Sequence, residues 1–152
     1  MTQAEKLVAL LKAQNLTCAT AESCTGGGVG AAITSVPGAS EVYMGGVTSY
    51  DNSVKRNVLG VRAETLAVAG AVSSECAAEM ALGVRRLLQV DRAVSVTGIA
   101  GPDGGSVDKP VGLVWFGLAD GNGVRTEKAI FAGDRAAVRA QAVTHALGML
   151  AV

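Results

Sequence analysis

Between Ala77 and Leu88 the apolar residues Ala77, Met80, Ala81, Val84, Leu87 and Leu88 fall at i, i+3, i+4, i+7, i+10 and i+11, while Glu75, Glu79, Arg85 and Arg86 take the opposite face. That spacing is the period of an amphipathic helix, begun by Ser73 or Ser74, and its apolar stripe needs a second layer to cover it. The short apolar run Arg92–Thr97 that follows reads as a strand, so the covering layer is a sheet. The same alternation recurs along the chain. Thr2-x-x-Glu5 has the capping-box pattern and opens a helix over 3–14, then Leu16–Ala21 is a strand. Gly26 to Ile33 reads as a small-residue helix packed close to the sheet, and Pro37-Gly38 as a turn. Val42–Tyr50 is a strand with a bulge or close backbone approach at Gly45 and Gly46.

Asp51 or Asn52 caps a short helix through Val58 that Gly60 ends, and a further turn or two covers 64–69. Gly98 to Pro110 holds four glycines and two prolines and must be a loop. Val111–Ala119 and Val124–Phe131 are strands joined by the tight turn Asp120-Gly-Asn-Gly123. Asp134 caps a last helix striped by Val138, Ala142, Ala146, Met149 and Leu150. Helices interleaved with strands, plus one hairpin, predict an α/β fold. It is a three-layer α/β/α sandwich with a mixed central sheet, one domain over residues 1–152.

Composition narrows the function. Apolar residues are 49% and charged residues 17% of the chain, enough apolar surface to exclude a disordered segment. Lys plus Arg and Asp plus Glu both number 13, so no long-range field draws in nucleic acid or an anionic membrane, and any bound anion must be held locally. Cys18, Cys24 and Cys76 are odd in number and lack CxxC spacing, which speaks against a disulfide framework and a zinc site. The expected compartment is the reducing cytoplasm. No apolar run is long enough to span a membrane, and the first residues lack the pattern of a signal peptide.

His145 is the only histidine and lies within the last helix, where a packing role is expected. A hydrolase built here would therefore run without histidine, the usual solution being a serine activated by a lysine of lowered pKa. Ser40 after the Pro-Gly turn, Tyr50 at a strand end and Lys55 in the next helix form such a set. A helix N-terminus disfavours the charge on Lys55, but reaching a pKa of 7 or 8 needs about 4 kcal/mol, so burial must contribute. The same residues also read as a turn serine, a strand-end tyrosine and a solvated lysine. Cys24 is either a nucleophile near a helix start or a small packed side chain. Two glycine loops, Ser23–Gly28 and Thr97–Gly105, either cradle an anion or pack tightly, and neither has the P-loop or dinucleotide-binding pattern. Arg135 and Arg139, one turn apart, either reach a phosphate or carboxylate or face solvent.

Four segments taken together resemble the CinA C-terminal domain family. They are Thr20-Ala-Glu-Ser-Cys-Thr-Gly-Gly27, Pro37 to Lys55, Thr97 to Gly105 running into Lys109-Pro-Val-Gly112, and Gly133-Asp-Arg-x-x-Val-Arg139. The resemblance spans nearly the whole chain and is to the stand-alone form, without the larger N-terminal domain of full-length CinA proteins. The family includes amidases that hydrolyse the carboxamide of nicotinamide mononucleotide to nicotinic acid mononucleotide and ammonia, in pyridine nucleotide salvage. Carried over by position, the resemblance implies Ser40 as nucleophile with Tyr50 and Lys55 as its catalytic partners. It implies Ser23, Thr25, Gly26, Gly27, Gly101, Gly104, Gly105 and Arg135 as substrate-binding residues. Ser49 and Asp51 flank Tyr50 where many relatives carry Thr and Ser or Thr. No metal and no organic cofactor is implied. The expected partner is a small-molecule nucleotide, not nucleic acid or membrane, with self-association into a homo-oligomer left open. The rival reading is a non-catalytic nucleotide-binding module, which would have no need of the Ser40, Tyr50 and Lys55 set, or an amidase for another small metabolite.

Overall fold

The computed structural model describes residues 1–152. In chain order its elements are α1 (Gln3–Gln14), β1 (Cys18–Glu22), α2 (Gly28–Thr34), a single 3₁₀ turn (Ala39–Glu41), β2 (Tyr43–Thr48), α3 (Asn52–Asn57), α4 (Ala63–Val68), α5 (Ser74–Leu88), β3 (Arg92–Gly98), β4 (Leu113–Asp120), β5 (Gly123–Ile130) and α6 (Arg135–Leu150). The five strands form one sheet in the order β2-β1-β3-β4-β5. β1 runs parallel to both β2 and β3, and β4 is antiparallel to β3 and β5. The mixed sheet between two helical layers is the architecture expected from the sequence.

Side-chain alternation along the strands divides the core in two. Cys18, Val94, Val96, Val114, Phe116 and Leu118 face α1, α2 and α6, meeting Leu7, Leu11, Val29, Ile33, Val138 and Ala142. Ala19, Ala21 and Ala93 face the other way, onto Cys76, Met80 and Val84 of α5 and onto Leu59 and Val61 ahead of α4. Leu87, on the flank of the α5 stripe, stays half exposed, and Gly83 is buried in its stead beside Leu59.

Helix starts follow the capping chemistry. Thr2 accepts from the Glu5 N–H, Asp51 from Ser53, Ser73 from Cys76 and Asp134 from Ala137. The β1–β2 register shifts between Cys18 and Ala19, so that Cys18 pairs with Tyr43 and Ala19 with Gly45. At Gly46 an added Cβ would lie 2.2 Å from Thr20 Oγ1. The bulge or close backbone approach expected at Gly45 and Gly46 is met by this register irregularity beside Gly45 and by the close approach at Gly46.

Three connections shape the carboxyl edge of the parallel strands. The chain leaves the carboxyl end of β1 toward α2 on one face, and leaves the adjacent β2 toward α3, α4 and α5 on the other. Between two parallel strands whose connections part in this way a crevice opens at their carboxyl ends, the usual place for a ligand in an open α/β sheet. The β3–β4 loop rises at the same edge, because β3 is parallel to β1. No helix is long and apolar enough to cross a membrane.

Candidate active site

The crevice is a cleft of about 190 Å³ lined by Ser23 and Cys24 after β1, Tyr50, Asn52 and Lys55 after β2, Thr97, Gly98 and Ala100 around the end of β3, Ala71 and Val72 ahead of α5, and Arg135 of α6. Its centre is Lys55, 1% exposed and the largest of the fully buried side chains. The Nζ donates to Ser23 Oγ at 3.0 Å, to the Ser49 carbonyl at 2.7 Å and to the Tyr50 carbonyl at 3.1 Å. No carboxylate is in ion-pair contact with it. Burial pushes its pKa below the ordinary 10.5, more than the weaker pull of Cys76, Asp51 and Cys24 in the other direction. The helix dipole is not the cause. Lys55 lies in the last turn of a six-residue helix, where a dipole would favour its charge.

The loop that carries Ser23 is fixed by Glu22, whose carboxylate is 2% exposed. It accepts from Thr25 Oγ1 at 2.7 Å and from the Val29 and Gly30 N–H groups at 2.8 and 3.0 Å. Gly26 and Gly27, with φ of +60° and +98°, turn the chain from β1 into α2 where an L side chain would be strained. The Cys24 and Thr25 N–H groups reach no acceptor on another residue. Burial holds the Cys24 thiol up at about 11, so it is protonated at neutral pH and is the packed side chain rather than a thiolate nucleophile.

Ser40 does not belong to this set. It precedes β2 whereas Tyr50 and Lys55 follow it, so the six residues of β2 stand between them, roughly 20 Å of strand. Ser40 is exposed in the 3₁₀ turn at the amino edge of the sheet, beside the Lys12–Glu41 ion pair. The serine within reach of Lys55 is Ser23, which sequence reasoning placed only among the lining residues.

Tyr50 is 63% exposed at the mouth of the cleft. Its hydroxyl accepts from Arg135 Nη2 at 3.3 Å, while Arg135 Nη1 donates to the Gly101 carbonyl at 2.8 Å. Arg135 also lines a neighbouring cavity of about 690 Å³, shared with Ala100, Pro102, Val111, Gly133, Asp134, Ala136 and Arg139. Of the glycines expected to bind substrate, Gly101 acts through its carbonyl. Gly104 and Gly105 are exposed, a Cβ added there would meet Ile99 and Val111, and they line neither cavity. Thr25, Gly26 and Gly27 shape the loop behind Ser23 and lie outside the lining. His145 is distant from the cleft, stacked on Phe116 with centroids 4.2 Å apart and bonded to Glu127 at 3.1 Å. No cluster of three or more His, Cys, Asp or Glu side chains is arranged to hold a metal.

Fold and site together define a one-domain α/β protein with a buried lysine–serine pair at the carboxyl edge of its parallel strands. The chain belongs to the CinA C-terminal domain family, whose model matches residues 1–152. It is 49% identical over 152 residues to the nicotinamide-nucleotide amidohydrolase PncC of Escherichia coli (strain K12), a match covering 99% of this chain and 92% of that protein. It is 50% identical over 146 residues to a putative competence-damage inducible protein of Thermoanaerobacter sp. (strain X514), covering 96% of this chain but about a third, 35%, of that longer protein. Among solved structures it is similar to a competence-damaged protein (CinA) superfamily protein of Klebsiella pneumoniae 700603, with a TM-score of 0.94 and 41% identity over 98% of this chain and 93% of that one. The competence/damage inducible protein of Agrobacterium tumefaciens is alike, with a TM-score of 0.94 and 40% identity over 99% of this chain and 94% of that one.

Proposed function

We propose that this chain is a nicotinamide-nucleotide amidase, converting nicotinamide mononucleotide and water to nicotinic acid mononucleotide and ammonia through a Ser23–Lys55 pair. The observation that carries the reading is the 3.0 Å contact between Ser23 Oγ and a buried lysine with no acidic partner. A neutral Lys55 takes the Ser23 proton as the oxygen attacks the carboxamide carbon. The oxyanion that forms takes hydrogen bonds from the Cys24 and Thr25 N–H groups. The C–N bond breaks, the proton held on Lys55 leaves with the nitrogen as ammonia, and an acyl ester stays on Ser23. Water attacks the ester, gives its proton to Lys55, and the acid is released as Ser23 recovers that proton. Tyr50 keeps a catalytic place: its carbonyl orients Lys55, and its hydroxyl stands at the mouth where the leaving nitrogen departs. The likeness to a nicotinamide-nucleotide amidohydrolase, 49% identical and matched over 92% of its length, supports the substrate.

The experiment is direct. Purified protein incubated with nicotinamide mononucleotide is expected to release ammonia and the acid in equal amounts, and EDTA is expected to leave the rate unchanged. Absence of turnover, with the nucleotide still bound, would favour the binding-module reading instead.

The 690 Å³ cavity is the place for the ribose phosphate. There Arg135 adds a fixed charge to the first turn of α6, whose Arg135 and Ala136 N–H groups have no acceptor in the protein. Arg135→Ala is expected to lower kcat/KM for the mononucleotide by roughly 10- to 1000-fold, the loss of a charge-assisted contact. Nicotinamide riboside, without the phosphate, should be a poor substrate and respond much less. Equal losses on both would move Arg135 from the phosphate to the reacting amide, acting through its contact with Tyr50.

A further inference from the structure

Arg139 stands one helical turn beyond Arg135 but makes different contacts. Its Nε donates to the Cys24 carbonyl at 3.0 Å and its Nη2 to the Thr25 carbonyl at 3.2 Å. One guanidinium thus grips two successive peptide oxygens of the loop that carries Ser23, in the fork geometry that arginine alone provides. Glu22 holds the same loop through Thr25 Oγ1 and the start of α2.

The peptide unit is planar and trans, so its C=O and N–H point to opposite sides. The Cys24 carbonyl and the Thr25 N–H belong to one unit. With the carbonyl drawn toward α6 by Arg139, the Thr25 N–H is turned away from α6. The Thr25 carbonyl is held by the same side chain, and the N–H sharing its unit, that of Gly26, closes the turn on the Ser23 carbonyl at 3.0 Å. Thr25 is 1% exposed and lies directly behind Cys24, which lines the cleft, yet its N–H has no acceptor in the protein. Buried backbone donors are nearly always paired, and an unpaired one two residues after the serine that meets Lys55 is a donor kept for something the protein itself lacks.

We infer that Arg139 is a positioning residue for the amidase reaction, orienting the Cys24–Thr25 peptide so that its N–H meets the oxyanion formed on attack by Ser23. The inference rests on the reading of Ser23 as nucleophile. Arg139 itself touches neither the substrate amide nor the reacting oxygen. Arg139 borders the 690 Å³ cavity, but its Nε and Nη2 are both engaged on carbonyls of the loop that carries Ser23. Because the oxyanion exists only in the transition state, its donor acts on kcat more than on ground-state binding.

The test compares Arg139→Ala and Arg139→Lys with wild type, using nicotinamide mononucleotide at saturating and sub-saturating concentrations, with unfolding measured in parallel. Arg139→Ala is expected to lose kcat by roughly 100-fold with KM changed by less than about threefold, the scale of a displaced oxyanion donor. Arg139→Lys, which keeps the charge but reaches one carbonyl at a time, should fall between the two. In a Ser23→Ala background, Arg139→Ala should change the Kd for the mononucleotide by less than about threefold. If Arg139→Ala does not fold, the Lys variant decides by the same split. A raised KM or Kd with kcat kept would make Arg139 a ligand-binding residue and overturn the inference. So would lowered stability with kcat per folded molecule intact, the mark of a merely structural tie. Turnover surviving in Ser23→Ala itself, or absent from wild type, would overturn the parent reading and this one together, a result distinct from an Arg139 variant of normal kcat.

Discussion

Ser23→Ala is expected to lower kcat for nicotinamide mononucleotide by roughly 10³- to 10⁶-fold while the protein stays folded, the scale found when a serine nucleophile is removed and only binding and the oxyanion site remain. The substitution takes away one hydroxyl whose hydrogen bond is to Lys55, which keeps its two carbonyl acceptors. Ser40→Ala, made in parallel, should match wild type, since its hydroxyl is exposed at the far edge of the sheet. The defects of Ser23→Ala and a Lys55 variant should not add, because the two act as one unit. Rates measured at equal folded concentration decide it. A dead Ser40→Ala beside an active Ser23→Ala would return the nucleophile to the amino edge.

Lys55→Met should be nearly as damaging to turnover, and it also changes how stability depends on pH. Burial lowers the folded-state pKa of Lys55 below the 10.5 of an unperturbed lysine. Between the folded and unfolded values the unfolded chain binds more protons, so stability rises with pH across that window. Below the folded value the cost of burying the lysine is present in full, and above 10.5 it has vanished. Lys55→Met lacks that term, although it leaves the Ser49 and Tyr50 carbonyls without their donor, a loss of about 1 to 3 kcal/mol each that does not vary with pH. Urea unfolding of both proteins from pH 7 to 10 should therefore show wild type gaining on the variant as pH rises. The kcat/KM of wild type should climb over the same range as Lys55 becomes neutral. Parallel stability curves would mean that Lys55 titrates as it does in the unfolded chain, and the case for it as a base would fall.

The layers, the caps and the hairpin were legible because each is local: a period, a side-chain oxygen three residues before an N–H, a Gly-Asn pair between two strands. The site was legible in its residue types more than in its geometry. Ser40 and Lys55 look like neighbours along the chain, yet β2 lies between them, and residues flanking one strand end at opposite edges of a sheet. Ser23 and Lys55 are far apart in sequence but meet because β1 and β2 run parallel, a relation that only the pairing of strands reveals. The clue available in advance was a serine directly after a strand and before a Gly-Gly turn into a helix, since parallel strands gather ligands at their carboxyl ends. The burial of Lys55 could not be read from α3, whose six residues are too short to show a periodicity. From the sequence Arg139 reads as a solvent or anion residue, because nothing local discloses that its carbonyl partners come from residues 24 and 25.

Helix α6 ties the site together from one end: Arg139 holds the β1–α2 loop, and Arg135 holds Gly101 and meets Tyr50. These ties join residues separated by 34 to 115 positions along the chain. Closures of that span come late when a chain refolds, because the intervening segment must first be ordered. Helical signal should therefore recover ahead of amidase activity after dilution from denaturant. Activity should return only once α6 has docked and both loops are held.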